Sequence, residues 1–135
     1  MTGQEDVEII REAFKRWNER DIDYWIGHAD PEVEIWAKYA ALDQAGEPYR
    51  GHEGMREWRA EIDRNFEFHE VFADEVRELE GKVLVLGFVR FRGNASGAEM
   101  HHPFGWVCEM REGNLKRMFF YSSHAEALQA GEVRE

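Results

Sequence analysis

The second half of the chain contains three strand-like segments separated by turn sequences, and this run strongly limits the possible folds. The segments are KVLVLGFVRFR (82–92), AEMHHPFGWVCEM (98–110) and LKRMFFYSS (115–123). GNASG lies between the first two segments, and REGN lies between the last two. Glycine-containing turns between β-forming segments predict antiparallel hairpins. The preceding stretch, FEFHEVFADEVREL (66–79), predicts one or two further strands.

The first half of the chain is predominantly helical. Residues 5–20 predict a helix, because apolar residues recur there at three- and four-residue spacing. Asp21 can cap a second, short helix in IDYWIGHA, and EVEIWAKYA predicts a strand. After a loop in LDQAGEPYRG, a third helix is expected from His52 to about Asn65.

The end of the chain predicts one more helix, over residues 124–130, because Ser123 and Glu126 form a capping box. Helices that precede a run of antiparallel strands indicate an α+β fold, with the helices packed on one face of a curved sheet.

Charge and composition exclude several classes of partner. The 135-residue chain has a formal net charge of −11 and no basic stripe, so we expect neither nucleic acid nor an anionic membrane as a partner. The single cysteine, Cys108, cannot form an internal disulfide, and neither a signal peptide nor an apolar run of about 18 residues is found, which indicates a cytoplasmic protein. Aromatic residues make up 13% of the chain, enough to fill a core or to line an apolar cavity.

Four local patterns follow one another along the chain: WNERDIDYW, ADPEVEIW, YRGHEGMREW and FGWVCEMREGNLKRMFFYSSHAEALQAG. In this order and spacing they resemble SnoaL-like proteins of the nuclear transport factor 2-like superfamily. The resemblance covers nearly all of residues 1–135 and implies one α+β domain. In that fold, about three N-terminal helices and a short C-terminal helix wrap a cone-shaped, curved antiparallel sheet with a pocket inside. The resemblance also implies a homodimer formed through the outer face of the sheet.

The resemblance leaves the function open, because the superfamily contains isomerases, dehydratases, epoxide hydrolases, cyclases and plain binding domains. Ketosteroid isomerases of this superfamily use an aspartate base, a tyrosine donor and a protonated aspartic acid. The corresponding positions here hold Trp36, Ala13 and Gly105. None of these side chains can shuttle a proton, so we reject this mechanism.

The epoxide hydrolase subgroup needs an Asp–Arg–Asp arrangement around a nucleophilic water. The strands offer Arg90 and Arg92, but they carry no suitable inward aspartate, and Glu109 is the one strand acid placed to substitute. The sequence therefore argues against this activity as well.

Adjacent histidines at positions 101 and 102 must point to opposite faces of their strand. Hydrophobicity alone favours the even-numbered set as the inward one, since it includes Phe104 and Trp106. The resemblance instead implies that the odd-numbered set faces the pocket, which would place His101 and Glu109 inside and Trp106 at a dimer partner.

His101 and Glu109 are accordingly the candidate catalytic residues, since imidazole exchanges protons near neutral pH. An alternative is that His101 is simply a hydrogen-bonded polar residue of the pocket. We expect no cofactor and no metal, because adjacent histidines on a strand diverge and no standard ligand spacing is present. The candidate ligand-binding residues are Trp36, Tyr39, Trp58, Gly87, Val89, Phe91, Gly105, Val107, Met118, Phe120 and Ser122.

Three functions fit these observations. The first is a SnoaL-like pocket protein that binds a small hydrophobic or cyclic molecule. The second is an enzyme with the same pocket, carrying out isomerase-, dehydratase- or cyclase-type proton transfer with a histidine. The third is an interaction module that dimerises and binds no ligand. A cavity of a few hundred Å³ would favour ligand binding, whereas a filled interior would favour the interaction module.

Overall fold

The computed structural model describes residues 3–37, 47–94 and 97–132 and contains four helices and six strands within them. The helices are α1 (Gly3–Asn18), α2 (Ile22–Gly27), α3 (Gly51–Asn65) and α4 (His124–Glu132). The strands are β1 (Ala29–Trp36), β2 (Tyr49–Arg50), β3 (Phe66–Leu79), β4 (Lys82–Gly93), β5 (Glu99–Arg111) and β6 (Asn114–Tyr121). The predicted α+β class is confirmed, and β2 is a short strand inside a segment predicted as loop.

The six strands form one open, curved sheet in the order β2-β1-β6-β5-β4-β3. All neighbouring pairs are antiparallel except β1 and β6, which run parallel. The sheet is therefore mixed, whereas the sequence predicted antiparallel pairing throughout. The parallel pair joins the helical half of the chain to the end of the strand run, two regions that are far apart in sequence.

Side-chain caps fix the N-termini of two helices. Asp21 caps α2 as predicted, since its carboxylate accepts a hydrogen bond from the Tyr24 backbone N–H at 3.3 Å. Ser123 caps α4, since its Oγ accepts from the Glu126 backbone N–H at 3.1 Å. None of the described helices is long and apolar enough to span a membrane.

The hairpin between β5 and β6 is fixed by its turn. Glu112 and Gly113 both have positive φ, 53° and 80°. Two consecutive left-handed residues match the right-handed twist of the flanking strands, and glycine adopts this conformation without strain. The predicted REGN turn is thus confirmed, and it sets the register of the two strands.

The sheet separates two apolar clusters. Helices α1–α3 pack on the side that carries Val83, Val85 and Val89, which we call the helix face. Helix α4 packs on the opposite side, over Leu84 and Leu86, which we call the α4 face. Successive residues of β4 thus alternate between two buried surfaces.

Candidate functional site

The register of β5 corrects one sequence expectation. Val89 of β4 pairs with His102, and Met118 of β6 pairs with Cys108, so these even-numbered β5 residues share the helix face with their partners. The resemblance implied that the odd-numbered residues of β5 face inward, with Trp106 at a dimer partner, and the structure corrects this. Directly opposed residues of antiparallel strands lie on the same face, so the even-numbered residues of β5 face the helices together with Val89 and Met118.

The environment of β5 shows why the even set faces the helices. Phe104 and Trp106 are each 1% exposed and belong to the helix-face cluster, so Trp106 is not available to a dimer partner. Gly105 and Val107 lie on the α4 face. A Cβ atom at Gly105 would lie 2.2 Å from the Ala127 Cβ, so only glycine permits this approach of α4. Both faces of the central part of β5, residues 104–108, are buried, which explains why alternation alone was ambiguous.

The two candidate catalytic residues do not come together. The His101 side chain is 66% exposed, and its Nε2 lies 3.6 Å from the Glu99 carboxylate. His102 is also exposed. Glu109 accepts a hydrogen bond from Arg117 Nε at 2.7 Å. His101 and Glu109 stand eight residues apart on one extended strand, a span of about 26 Å, so they cannot act on one substrate atom.

Glu109 instead belongs to a row of alternating charges across five strands. The strand register aligns Lys82, Glu109, Arg117, Glu34 and Arg50 side by side. Hydrogen bonds join two of these pairs, Arg117 to Glu109 at 2.7 Å and Arg50 to Glu34 at 3.0 Å. Opposite charges directly across a ladder stabilise strand pairing, so this row provides a structural account of Glu109.

The interior between the helix face and α1–α3 is filled by aromatic rings. Trp58 lies at its centre, with ring centroids 4.5 Å from Trp17, 5.7 Å from Trp25 and 6.0 Å from Trp106. All four tryptophans are 1–2% exposed. Trp58, predicted to bind ligand, is therefore a core residue, and Val89 and Met118 are buried with it in the helix-face cluster.

A buried polar group adjoins these rings, and the sequence did not reveal it. The Trp17 indole N–H donates to His69 Nδ1 at 3.0 Å. Arg59 lies 4.4 Å above the Trp17 ring and forms an ion pair with Asp63 at 2.7 Å. Burial, and secondarily the Arg59 charge, lowers the pKa of His69 to about 3, so the imidazole is neutral and accepts. One signal was available, since Arg59 falls on the apolar stripe of α3 that includes Met55 and Ile62.

A cavity of about 750 Å³, open to solvent, lies where Trp36 and the end of β6 meet α4. Its walls come from consecutive residues at the end of β6 and from one side of α4. The lining residues are Trp36, Phe119, Phe120, Tyr121, Ser122, Glu126, Gln129 and Ala130. We call this space the β6–α4 cavity.

Aromatic rings and a few polar groups define the β6–α4 cavity. The Trp36 and Phe119 rings are nearly parallel, with centroids 6.2 Å apart and planes 13° apart. The Trp36 indole N–H donates to Glu34 Oε1 at 3.1 Å, which fixes the ring. Ser122 Oγ donates to Glu126 Oε1 at 3.3 Å. Burial raises the pKa of Tyr121, which keeps its hydroxyl neutral at pH 7.

Three predicted ligand-binding residues line this cavity: Trp36, Phe120 and Ser122. Tyr39 lies outside the described residues. The other predicted residues lie elsewhere, in the two apolar clusters or, for Gly87, at the β-bulge of β3. These are Trp58, Gly87, Val89, Phe91, Gly105, Val107 and Met118.

The lining residues that sequence reasoning missed are Phe119, Tyr121, Glu126, Gln129 and Ala130. The signal for them was the predicted C-terminal helix directly after a strand rich in aromatic residues. Among the described residues, no group of three or more His, Cys, Asp or Glu side chains is arranged to hold a metal ion.

Comparison with known proteins identifies a family and several solved structures with the same fold. The family model of the SnoaL-like domain matches residues 10–118. No curated protein sequence matches the chain. An NTF2-like protein of unknown function from Burkholderia pseudomallei is 17% identical and superposes with a TM-score of 0.78, covering 98% of this chain and 100% of the other.

Two further solved structures show the same fold. TerC co-crystallised with polyporic acid is 21% identical, with a TM-score of 0.76 and coverage of 96% of this chain and 99% of TerC. A putative polyketide cyclase from Xanthomonas campestris is 13% identical, with a TM-score of 0.77 and coverage of 95% and 96%. At these identities the likeness establishes the fold alone.

Proposed function

This chain belongs to the SnoaL-like domain family, and we propose that residues 1–135 act as one domain that binds a small apolar or cyclic molecule in the β6–α4 cavity. The observation that carries the proposal is an open, aromatic-walled space of about 750 Å³. Ligand pockets have volumes of about 300–1,000 Å³, with mostly apolar walls and a few polar groups. Trp36 and Phe119 supply flat apolar surface, and Ser122 and Gln129 supply hydrogen-bonding groups at the rim.

The comparisons support a pocket protein without identifying its ligand. TerC was crystallised with polyporic acid, and the Xanthomonas campestris protein is described as a putative polyketide cyclase. A co-crystallised organic acid in one relative and a cyclase description in the other support the choice of a small or cyclic organic ligand for this chain. We do not extend the proposal to proton transfer by His101, because its exposed side chain lies outside the cavity lining.

Titration with the neutral fluorophore N-phenyl-1-naphthylamine tests the proposal. We expect saturable enhancement of its emission, and about tenfold weaker binding by the Trp36→Ala variant, because one aromatic wall is lost. Met100→Ala is the matched control, since Met100 is 49% exposed on the same sheet but does not line the cavity. Equal binding by the Trp36→Ala variant and the unmodified protein would contradict this site.

We also propose a homodimer formed through the α4 face. Phe72 and Phe88 pair across β3 and β4 and are 45% and 40% exposed, so they offer apolar surface beside α4. Light scattering is expected to give twice the monomer mass, and Phe88→Glu is expected to give a monomer. A dimer that binds no small molecule would favour the interaction module instead.

The cytoplasm is the proposed compartment. Cys108 is the single cysteine, and a chain without an internal disulfide gains nothing from an oxidising environment. Fractionation of the source cells should recover the protein with cytoplasmic markers, and recovery from an oxidising compartment would contradict this placement.

A further inference from the structure

We infer that the β6–α4 cavity selects an organic cation, a small substituted ammonium that carries an apolar or aromatic group, with Glu126 as its counter-ion. This inference rests on the proposed function, since it specifies the class of molecule that the same cavity takes. It is carried by the combination of aromatic walls with one uncompensated carboxylate.

The charges that line the cavity have a single sign. Among the lining residues that the structure describes, Glu126 is the one acidic residue, and none is a lysine, an arginine or a histidine. Ser122 Oγ donates one hydrogen bond to Glu126, and within the described part of the chain no basic side chain forms an ion pair with it. Glu109 is different, because Arg117 compensates its charge. A carboxylate beside a binding space, without a basic partner, attracts a cation.

The walls suit the same class of ligand. The faces of aromatic rings carry negative electrostatic potential, so a cation within about 6 Å of a ring centroid is attracted to it. Trp36, Phe119, Phe120 and Tyr121 all line the cavity, and Tyr121 remains uncharged because burial raises its pKa. A cavity lined by several aromatic rings and a carboxylate suits substituted ammonium groups, which aromatic cages recognise through cation–π contacts.

The competing ligand classes fit less well. An anion would meet Glu126 and a net charge of −11. Among the described lining residues, the side-chain donors are the Ser122 and Tyr121 hydroxyls, the Gln129 amide and the Trp36 indole, which already donates to Glu34. A neutral molecule would contact the rings and could donate a hydrogen bond to Glu126, but it would gain no charge–charge attraction from that carboxylate. The net charge of the protein also raises the local concentration of cations around it.

A pair of probes of nearly the same shape isolates the charge. 3-Hydroxyphenyltrimethylammonium and 3-tert-butylphenol differ in a quaternary nitrogen against a quaternary carbon, and both dissolve well enough for calorimetry. We expect the cation to bind about tenfold more tightly than the phenol, and added salt to reduce that preference. Equal affinities, or tighter binding of the phenol, would overturn the inference.

Substitution of the carboxylate completes the test. We expect Glu126→Gln to weaken binding of the cation about five- to tenfold and to leave binding of the phenol unchanged. Glu53→Gln is the matched control, since it removes one negative charge from an exposed site on α3, away from the cavity lining. A cation affinity that is equal in the Glu126→Gln and Glu53→Gln variants would overturn the role of Glu126.

The outcomes separate this inference from the proposed function. Binding of the phenol and of the neutral fluorophore without preference for the cation would leave the cavity as a binding site and overturn only the selection of a cation. Failure of all three probes to bind would overturn both.

Discussion

The two faces of the sheet are both apolar, but the helices that cover them fill the space above them to different extents. On the helix face, aromatic side chains from the helices and the sheet fill the interior, and Trp58 packs against three other tryptophan rings. On the α4 face, one helix of nine residues covers Leu84 and Val107 but leaves Trp36 at the wall of an open cavity. Both faces are apolar, so the difference lies in the volume supplied by the opposing helices. The position of a pocket in this fold therefore depends on what packs against each face.

Substitution of one tryptophan on each face provides the strongest test of this contrast. We expect Trp58→Ala to lower the free energy of unfolding by about 3–5 kcal/mol, because it removes a buried ring and leaves a cavity. Trp36→Ala should lower it by less than about 1 kcal/mol, because its ring already borders open space. Urea denaturation followed by circular dichroism measures both values. Similar losses in the two variants would show that the faces are packed alike.

The fit of α4 against β5 gives the next largest effect. Gly105→Ala should destabilise the protein by about 1–3 kcal/mol, since the added methyl would meet Ala127 at 2.2 Å and displace α4. The same displacement should weaken binding of the neutral fluorophore, because α4 forms one wall of the cavity. Gly27→Ala is the matched control, since a Cβ there meets nothing within 4 Å. Thermal unfolding of both variants checks this, and equal melting temperatures would contradict it.

The buried imidazole of His69 makes the stability of the helix-face core depend on pH. The folded-state pKa of His69 is lowered to about 3 from an ordinary value of 6.5. The unfolded chain therefore binds the proton first as the pH falls. The contribution of this group is fully present above pH 6.5 and is lost between about 6.5 and 3, at about 1.4 kcal/mol per pH unit.

Asparagine at position 69 separates this effect from the protonation of carboxylates. Its Oδ1 corresponds to the imidazole Nδ1 and can accept from Trp17 but does not titrate, so the His69→Asn variant should lose less stability from pH 6.5 to pH 4.5. Urea denaturation at each pH, compared with the unmodified protein, measures the difference. Parallel pH profiles for the two proteins would show that His69 is not the responsible group.

The exposed histidines should give the smallest effects. His101→Ala should change the free energy of unfolding by less than about 0.5 kcal/mol, because His101 faces solvent and its contact with Glu99 is an exposed pair. His102→Ala should behave the same way, since that side chain is also exposed. Neither change should alter ligand affinity, as measured by the same fluorescence titration. Loss of binding in the His101→Ala variant alone would show that His101 contributes to the binding site.

Local sequence patterns were sufficient for much of the fold. The apolar spacing of α1 and α3, the Asp21 and Ser123 caps and the REGN turn each depend on residues within a few positions of one another. Such features are encoded locally, because a cap or an amphipathic stripe has the same chemistry wherever the element packs.

The remaining features required partners from distant parts of the chain. The face of β5 was ambiguous because both surfaces of its central residues, 104–108, are buried, and only pairing with β4 and β6 resolved it. Burial of His69 depends on Trp17, 52 residues away in sequence, whose N–H needs an acceptor in the core. The β6–α4 cavity exists because Trp36 and α4 approach the same end of β6 without filling the space between them. The sequence determined which elements form and where they end. Tertiary packing determined which side chains are enclosed and where space remains, because enclosure depends on the volumes of elements that are distant from one another in the sequence.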